Sequence, residues 1–252
     1  MLAFRAFCRY YRRIKLTTKP FASANRAPKP SRRGRQTSFR FRTWGGKRAG
    51  AGRKRTKVRA GVPHVARPEH TWRHPVHITL RARTGLPSLR RQSPFDIVRH
   101  ALADASQVGF RVLHFSVQRD HVHLLVEAMD KRSLSRGARG LAIRAARAIN
   151  RILDRAGPVW DDRYHARPLR TPREMRHAIV YVLANWKKHH PSRAGFDTRS
   201  SAWWFRGWTH PPSSDASGWR GPDPPVEQPL TWLARAGWRR HGLIAPTEGP
   251  TL

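Results

Sequence analysis

Fifty-one lysines and arginines share this 252-residue chain with only fifteen aspartates and glutamates, a formal net charge of +36. Such an excess opposes any compact state unless a polyanion neutralises it. Nucleic acid meets that need, because each phosphate contact releases condensed counterions and so strengthens binding. An anionic membrane surface is the competing partner, but no long amphipathic basic helix stands outside the expected core to lie on it. No run of about eighteen apolar residues is present, so no membrane span is expected. The single cysteine, Cys8, excludes a disulfide framework and a cysteine-built zinc site and is compatible with a reducing compartment.

The charge is unevenly placed. Residues 1–70 hold about twenty Lys and Arg, one acid (Glu69) and few aliphatic side chains. A segment of that composition cannot bury enough apolar surface to offset its ordering entropy, so a disordered basic extension is expected there. Its first stretch, Met1–Leu16, is Arg-rich and acid-free; a basic arm or an over-extended start fits it better than a transit peptide. Within the extension, the run from Gly45 to Lys54 alternates glycine and cation. Arg53 and Lys54 are candidate minor-groove contacts, although a solvated linker is the plainer reading.

Patterned sequence begins near residue 71. His74–Arg83 alternates Val76, Ile78 and Leu80 with polar neighbours and predicts a strand. A helix follows from Ser93 as N-cap and Pro94 as first residue. Strands are expected at Phe110–Gln118 and His121–Ala128, joined by a tight Arg119–Asp120 turn. A long helix runs from Ser133 or Ser135 to about Arg155, a fourth strand spans Val159–Leu169, and Thr171–Glu174 opens a helix reaching about His189. Strand, helix, strand, strand, helix, strand, helix is an α+β order, a ferredoxin-like split βαβ sheet with an added C-terminal helix. The expected division is a basic extension (1–70), a folded domain (71–190) and a Trp/Pro-rich tail (191–252) that packs only in part.

The chemistry concentrates on two elements. On the third strand His121, His123, Leu125 and Glu127 share one face, and Val122, Leu124 and Val126 the other. Two imidazoles at i and i+2 stand side by side, a spacing suited to one metal ion. If the turn has two residues, Ser116 pairs with His123, and the surroundings are polar. His-x-His alone is weak evidence in a chain with fourteen histidines. Of four tyrosines, Tyr181 falls nearly opposite the apolar stripe of the last helix, on the side of Glu174, His177, Asn185 and Lys188. A tyrosyl oxygen can displace an alcohol from a phosphodiester and conserve the bond as phosphotyrosine. A bound Mg²⁺ or Mn²⁺ would orient the phosphate and neutralise developing charge. The Asn185 amide oxygen is a reasonable further ligand.

This constellation resembles the REP-associated tyrosine transposases, a bacterial group within the single-tyrosine HUH transposases. The resemblance spans about His74 to His190. It rests on the strand His121–Glu127, the segment Asp162–Arg167, the helix Tyr181–Asn185 and a tail motif from Ser200 to Trp208. It implies that His121, His123 and Asn185 bind a divalent metal and that Tyr181 is the nucleophile. It further implies a 5′-phosphotyrosine with a free 3′-hydroxyl, and substrates that are hairpins of palindromic repeats with a single-stranded guide beside them. The bacterial cytoplasm, at the nucleoid, is the implied location. Trp186 stands where many relatives have proline after the helix asparagine, and the basic extension is longer than the resemblance leads one to expect.

Phosphate contacts must hold such a substrate. Arg136, Arg139, Arg144, Arg147 and Arg151 line one expected helix, and Arg163, Arg167, Arg170, Arg173 and Lys188 flank the expected site. Six of ten tryptophans lie in the tail, where packing is a plainer role than base stacking. The rival readings are a domesticated hairpin binder that does not cut and a basic RNA-binding module of the same fold. The RNA reading calls for aromatics where His121 and His123 stand. Monomer and homodimer remain equally compatible with the sequence.

Overall fold

Period-two alternation builds the sheet. In strand β1 (Val76–Arg81), Val76, Ile78 and Leu80 are buried on one face, and His77, Thr79 and Arg81 occupy the other. Strands β2 (Phe110–Val117), β3 (His121–Ala128) and β4 (His165–Pro168) complete an antiparallel sheet of order β2-β3-β1-β4. With helices α1 (Gln92–Ala103), α2 (Lys131–Ile152) and α3 (Pro172–Leu183), this is the expected α+β, ferredoxin-like order with its added helix. The computed structural model describes residues 67–188, 195–212 and 223–250. The basic extension through residue 66, with Arg53 and Lys54, lies outside the described residues, as do His189, His190 and Trp219.

The sheet separates two apolar clusters. Val122, Leu124 and Val126 join Val76, Ile78 and Leu80 in the first, covered by Phe95, Val98 and Leu102 of α1 and Leu134, Ala138, Leu141 and Ile149 of α2. Gly137 lets α2 approach closely, because a Cβ there would stand 2.2 Å from Phe110 Cγ. On the opposite face Leu113 and Leu125 meet Met175, Ile179, Val182 and Leu183 of α3.

Several boundaries differ from the sequence expectation. Helix α1 starts at Gln92 with Arg91 as N-cap, so Ser93 and Pro94 lie inside its first turn, where a missing N–H costs nothing. Helix α2 starts at Lys131 rather than at a serine, because the Asp130 carboxylate accepts the Ser133 N–H at 2.6 Å and caps it first. The fourth strand is only four residues long. Ahead of it, Trp160 forms an isolated bridge with Ala82 and donates its indole N–H to Ala142 of α2, which ties the segment to a helix. The α3 start is as expected: the Thr171 side chain accepts the Glu174 N–H while Glu174 reaches back to the Thr171 N–H. Its end is not. The helix stops at Leu183, and Asn185–Lys188 forms a 3₁₀ turn.

Beyond Gly195 the described residues pack on both faces of the sheet, with Trp204 and Val226 against the first cluster. Phe205, Trp208, Trp238 and Ile244 are buried with α3, and Trp232 is 51% exposed. Three polar anchors fix this segment. Glu127 accepts the N–H groups of Leu230 and Thr231, Asp197 takes two hydrogen bonds from Arg90, and Glu248 takes two from Arg176.

A register shift in β2 between Val112 and His114 turns Leu113 toward the second cluster and Phe115 toward the first. His114 then packs edge-on against Phe205, 5.2 Å between ring centroids, with Ser201 Oγ 3.5 Å from Nδ1. Burial pushes this imidazole down from 6.5 to about 4. The unfolded chain therefore takes a proton below pH 6.5 that the folded chain refuses. Stability from this group is complete above 6.5 and lost as the pH falls toward 4. In urea unfolding at pH 4.5 and 7.5, His114→Phe is expected to lose less stability on acidification than the parent. Equal losses in the two proteins would refute this.

Candidate active site

The face of the sheet away from the first cluster is lined by imidazoles from three strands. His121 and His123 come from β3, His77 and Thr79 from β1 and His165 from β4. Thr79 stands opposite His123 on one side and opposite His165 on the other. The two-residue turn after β2 forms as expected: Gln118 N–H donates to His121 O at 2.8 Å, and Ser116 pairs with His123.

The two β3 histidines have different settings. His121 is partly buried, and its Nδ1 lies 2.7 Å from Asp120 Oδ1. Burial works against ionisation of Asp120, but the hydrogen bond from His121 and the charges of His121 and Arg81 hold its carboxyl below the ordinary range. His123 is only 4% exposed. Its Nδ1 lies 3.2 Å from both His77 Nε2 and Thr79 Oγ1, while its Nε2 is buried with no hydrogen-bond partner. Burial first, then the charges of His121, His77, Lys188 and Arg81, push its pKa down to about 2. Burial, with His165 and Arg167, pushes His77 down to about 4.

Tyr181 completes the cluster. Its ring stands edge-on to His123 at 5.0 Å and to His77 at 5.6 Å, and Lys188 Nζ lies 4.6 Å from its centroid on the ring face. Helical periodicity places this residue on a polar face, and that polar face meets the histidine face of the sheet rather than open solvent. Of the other tyrosines, Tyr10 and Tyr11 lie outside the described residues and Tyr164 is buried in the first cluster. Asn185 is 3% exposed and lies just beyond the end of α3, as the first residue of the 3₁₀ turn.

The arginines divide between two surfaces. Arg167 lies on β4 opposite His77, and Arg170 and Arg173 are exposed near the start of α3. Arg163 is partly buried in the loop before β4. Arg136, Arg139, Arg144, Arg147 and Arg151 are exposed on α2, whose buried side packs on the first cluster, so they lie across the sheet from the histidines. Arg144 also donates to Asp104 O. Sequence patterning does not single out His77, Thr79, Arg81 or His165 as site residues. Their signal is present only as the polar positions alternating with Val76, Ile78 and Leu80, together with the histidine beside Tyr164.

The nitrogens suit a divalent cation. A proton on His121 Nδ1, donated to Asp120, leaves the Nε2 lone pair as the ligating atom, and the orphaned Nε2 of His123 is a second such atom. Among the described residues no group of three or more His, Cys, Asp or Glu side chains is arranged to hold a metal. A full donor set would therefore need a further oxygen, such as that of Asn185, water or a phosphate. Among the described residues no helix is long and apolar enough to cross a membrane.

Residues 71–182 match the family model described as "Transposase IS200 like". The matched segment contains His121, His123 and Tyr181 and ends just before Asn185. A solved structure described as a REP-associated tyrosine transposase bound to a REP hairpin is similar at 17% identity and a TM-score of 0.42. The alignment covers 51% of this chain and 74% of that one. No curated protein matches.

Followed by ring-proton NMR, His77 and His123 are expected to stay neutral from pH 8 down to pH 5, given values of about 4 and about 2. A titration midpoint near 6.5 for His123 would show that its ring is not enclosed as described.

Proposed function

We propose that this chain cleaves and rejoins single-stranded DNA, with Tyr181 as nucleophile and with His121, His123 and Asn185 holding a divalent cation beside it. The observation that carries this reading is Tyr181 edge-on to His123, whose Nε2 is buried and unpartnered. A tyrosine and a bare imidazole lone pair at one spot fit phosphoryl transfer better than base stacking. The match of residues 71–182 to the IS200-like transposase family model supports strand transfer as the chemistry.

Tyr181 Oη would attack the scissile phosphorus as the bond to the 3′ oxygen breaks. The phenolic proton ends on the departing 3′-hydroxyl, and the 5′-phosphate remains on the tyrosine. Attack by another 3′-hydroxyl reverses the step and reseals the strand without a nucleotide cofactor. Mg²⁺ or Mn²⁺, when bound, would orient the phosphate and neutralise charge that develops on it. Lys188, over the tyrosine ring, and Arg167, beside His77, add fixed positive charge around the same phosphate.

The substrate we infer is hairpin DNA of palindromic repeats, acted on at the nucleoid of a bacterial cell. Arg163, Arg167, Arg170, Arg173 and Lys188 serve the strand near the cut. The exposed α2 arginines, on the other side of the sheet, suit the phosphates of a duplex stem. The basic extension, with Arg53 and Lys54, would add groove contacts.

Labelled single-stranded hairpin DNA from beside the gene, incubated with Mn²⁺ or EDTA, is expected to give a covalent protein–DNA band only with metal. Tyr181→Phe and His123→Ala should each reduce that band by at least about a hundredfold. Tight binding of the hairpin with no covalent band would instead mark a hairpin-binding protein that does not cut. Separately, Arg136→Ala, Arg139→Ala and Arg147→Ala combined should weaken binding. For every duplex phosphate that these arginines neutralise, their removal should lower the slope of log K against log salt by about 0.9. An unchanged slope would remove α2 from the interface.

A further inference from the structure

A neutral imidazole such as that of His123 carries a proton on one ring nitrogen and a lone pair on the other. Which is which decides whether the residue can bind a cation at Nε2. Were the proton on Nε2, it would be a buried donor with no acceptor, a state that native structures avoid. Nδ1 is differently placed. It lies 3.2 Å from Thr79 Oγ1 and 3.2 Å from His77 Nε2, both able to accept a hydrogen bond. Thr79 is the direct cross-strand partner of His123, and His77 sits two residues back on the same face of β1. His121 has the parallel arrangement, with Asp120 2.7 Å from its Nδ1.

We propose that His77 and Thr79 are positioning residues for His123: they accept its Nδ1–H and so hold the Nε2 lone pair toward the site. This rests on the reading of His123 as a cation ligand. His77 then carries its own proton on Nδ1 and acts through His123 rather than on the substrate. The two acceptors back each other up, since one donor is shared between them. A division of labour follows within the sheet: β3 supplies the ligating rings and β1 sets the proton on the inner one.

The test uses the full chain, free of metal and DNA, with ¹⁵N-labelled histidine. Two-bond ¹H–¹⁵N correlation reads each tautomer directly, and His123→Gln assigns the signal. The parent is expected to show His123 as the Nδ1–H tautomer. In the double variant His77→Phe with Thr79→Val, the Nε2–H form should dominate. Mn²⁺ affinity, read by electron paramagnetic resonance on the DNA-free protein, should fall by about ten- to a hundredfold. Restoring an acceptor, as His77→Gln with Thr79→Val, should return the parent tautomer. An Nε2–H tautomer in the parent overturns the proposal even if the double variant fails to fold, and so does an unchanged tautomer in a folded double variant. If the tautomers behave as expected but the parent binds no Mn²⁺, the positioning role stands and the cation reading falls.

Discussion

The register in which β3 lies between β1 and β2 governs everything else in the site. Val122, Leu124 and Val126 are buried in the first cluster, and that burial leaves His121 and His123 no choice but the opposite face. A slip of one residue would bury both imidazoles under α1 and α2 and turn three aliphatic side chains toward Tyr181. Roughly 25 cal/mol for each Å² of apolar surface removed from water makes such a slip prohibitive for three large side chains. The geometry of the candidate site is thus set by the hydrophobic core rather than by any attraction among the polar groups. Those groups repel: the neighbouring positive charges all act to lower the pKa of His123.

A second constraint acts on α3. Its apolar stripe must meet the sheet, yet Tyr181 must also reach the histidines. Both are met because the C-terminal segment covers the rest of the helix. Phe205, Trp208, Trp238 and Ile244 take up apolar surface of α3 and its neighbours, while Arg176 is bound by Glu248 and by the carbonyl oxygens of Gly242 and Leu243. Trp208 and Trp238 therefore help to seat this helix. Glu127, on the histidine face of β3, is engaged in the same task, its carboxylate accepting the Leu230 and Thr231 N–H groups.

Much of this is legible in residue patterns because the physics is local. Strand β3, its partner register and the Thr171 cap follow from alternation, a two-residue turn and a capping box. The errors lie where tertiary contacts compete with local signals. Asp130 outcompetes Ser133 as a cap, the Trp160 indole binds α2 instead of extending β4, and α3 gives way to a 3₁₀ turn at Asn185. The bulge at Leu113 leaves no mark in the alternation of β2, since both flanks read as apolar. His77 and Thr79 are visible only as polar positions. Their role depends on which residue stands across the sheet, which pairing order alone decides.

The surplus charge can then be understood by surface. Near the histidines, Arg81 is bound to Asp120, Arg167 lies opposite His77, and Lys188 sits over the Tyr181 ring. On α2, arginines at positions 136, 139, 144, 147 and 151 are exposed along one side, and Arg136, Arg139 and Arg147 make no ion pair among the described residues. Unpaired guanidinium groups spaced along a 22-residue helix are costly in a free protein and become favourable only against a polyanion. The sheet stands between the two surfaces. A nucleic acid that used both would have to pass around its edge, as a duplex stem on one side and an unpaired strand on the other. A rigid duplex cannot make so sharp a turn without a large bending cost, whereas a junction with single-stranded DNA can. A nucleic acid that engaged both basic surfaces would thus have to be part helix and part single strand.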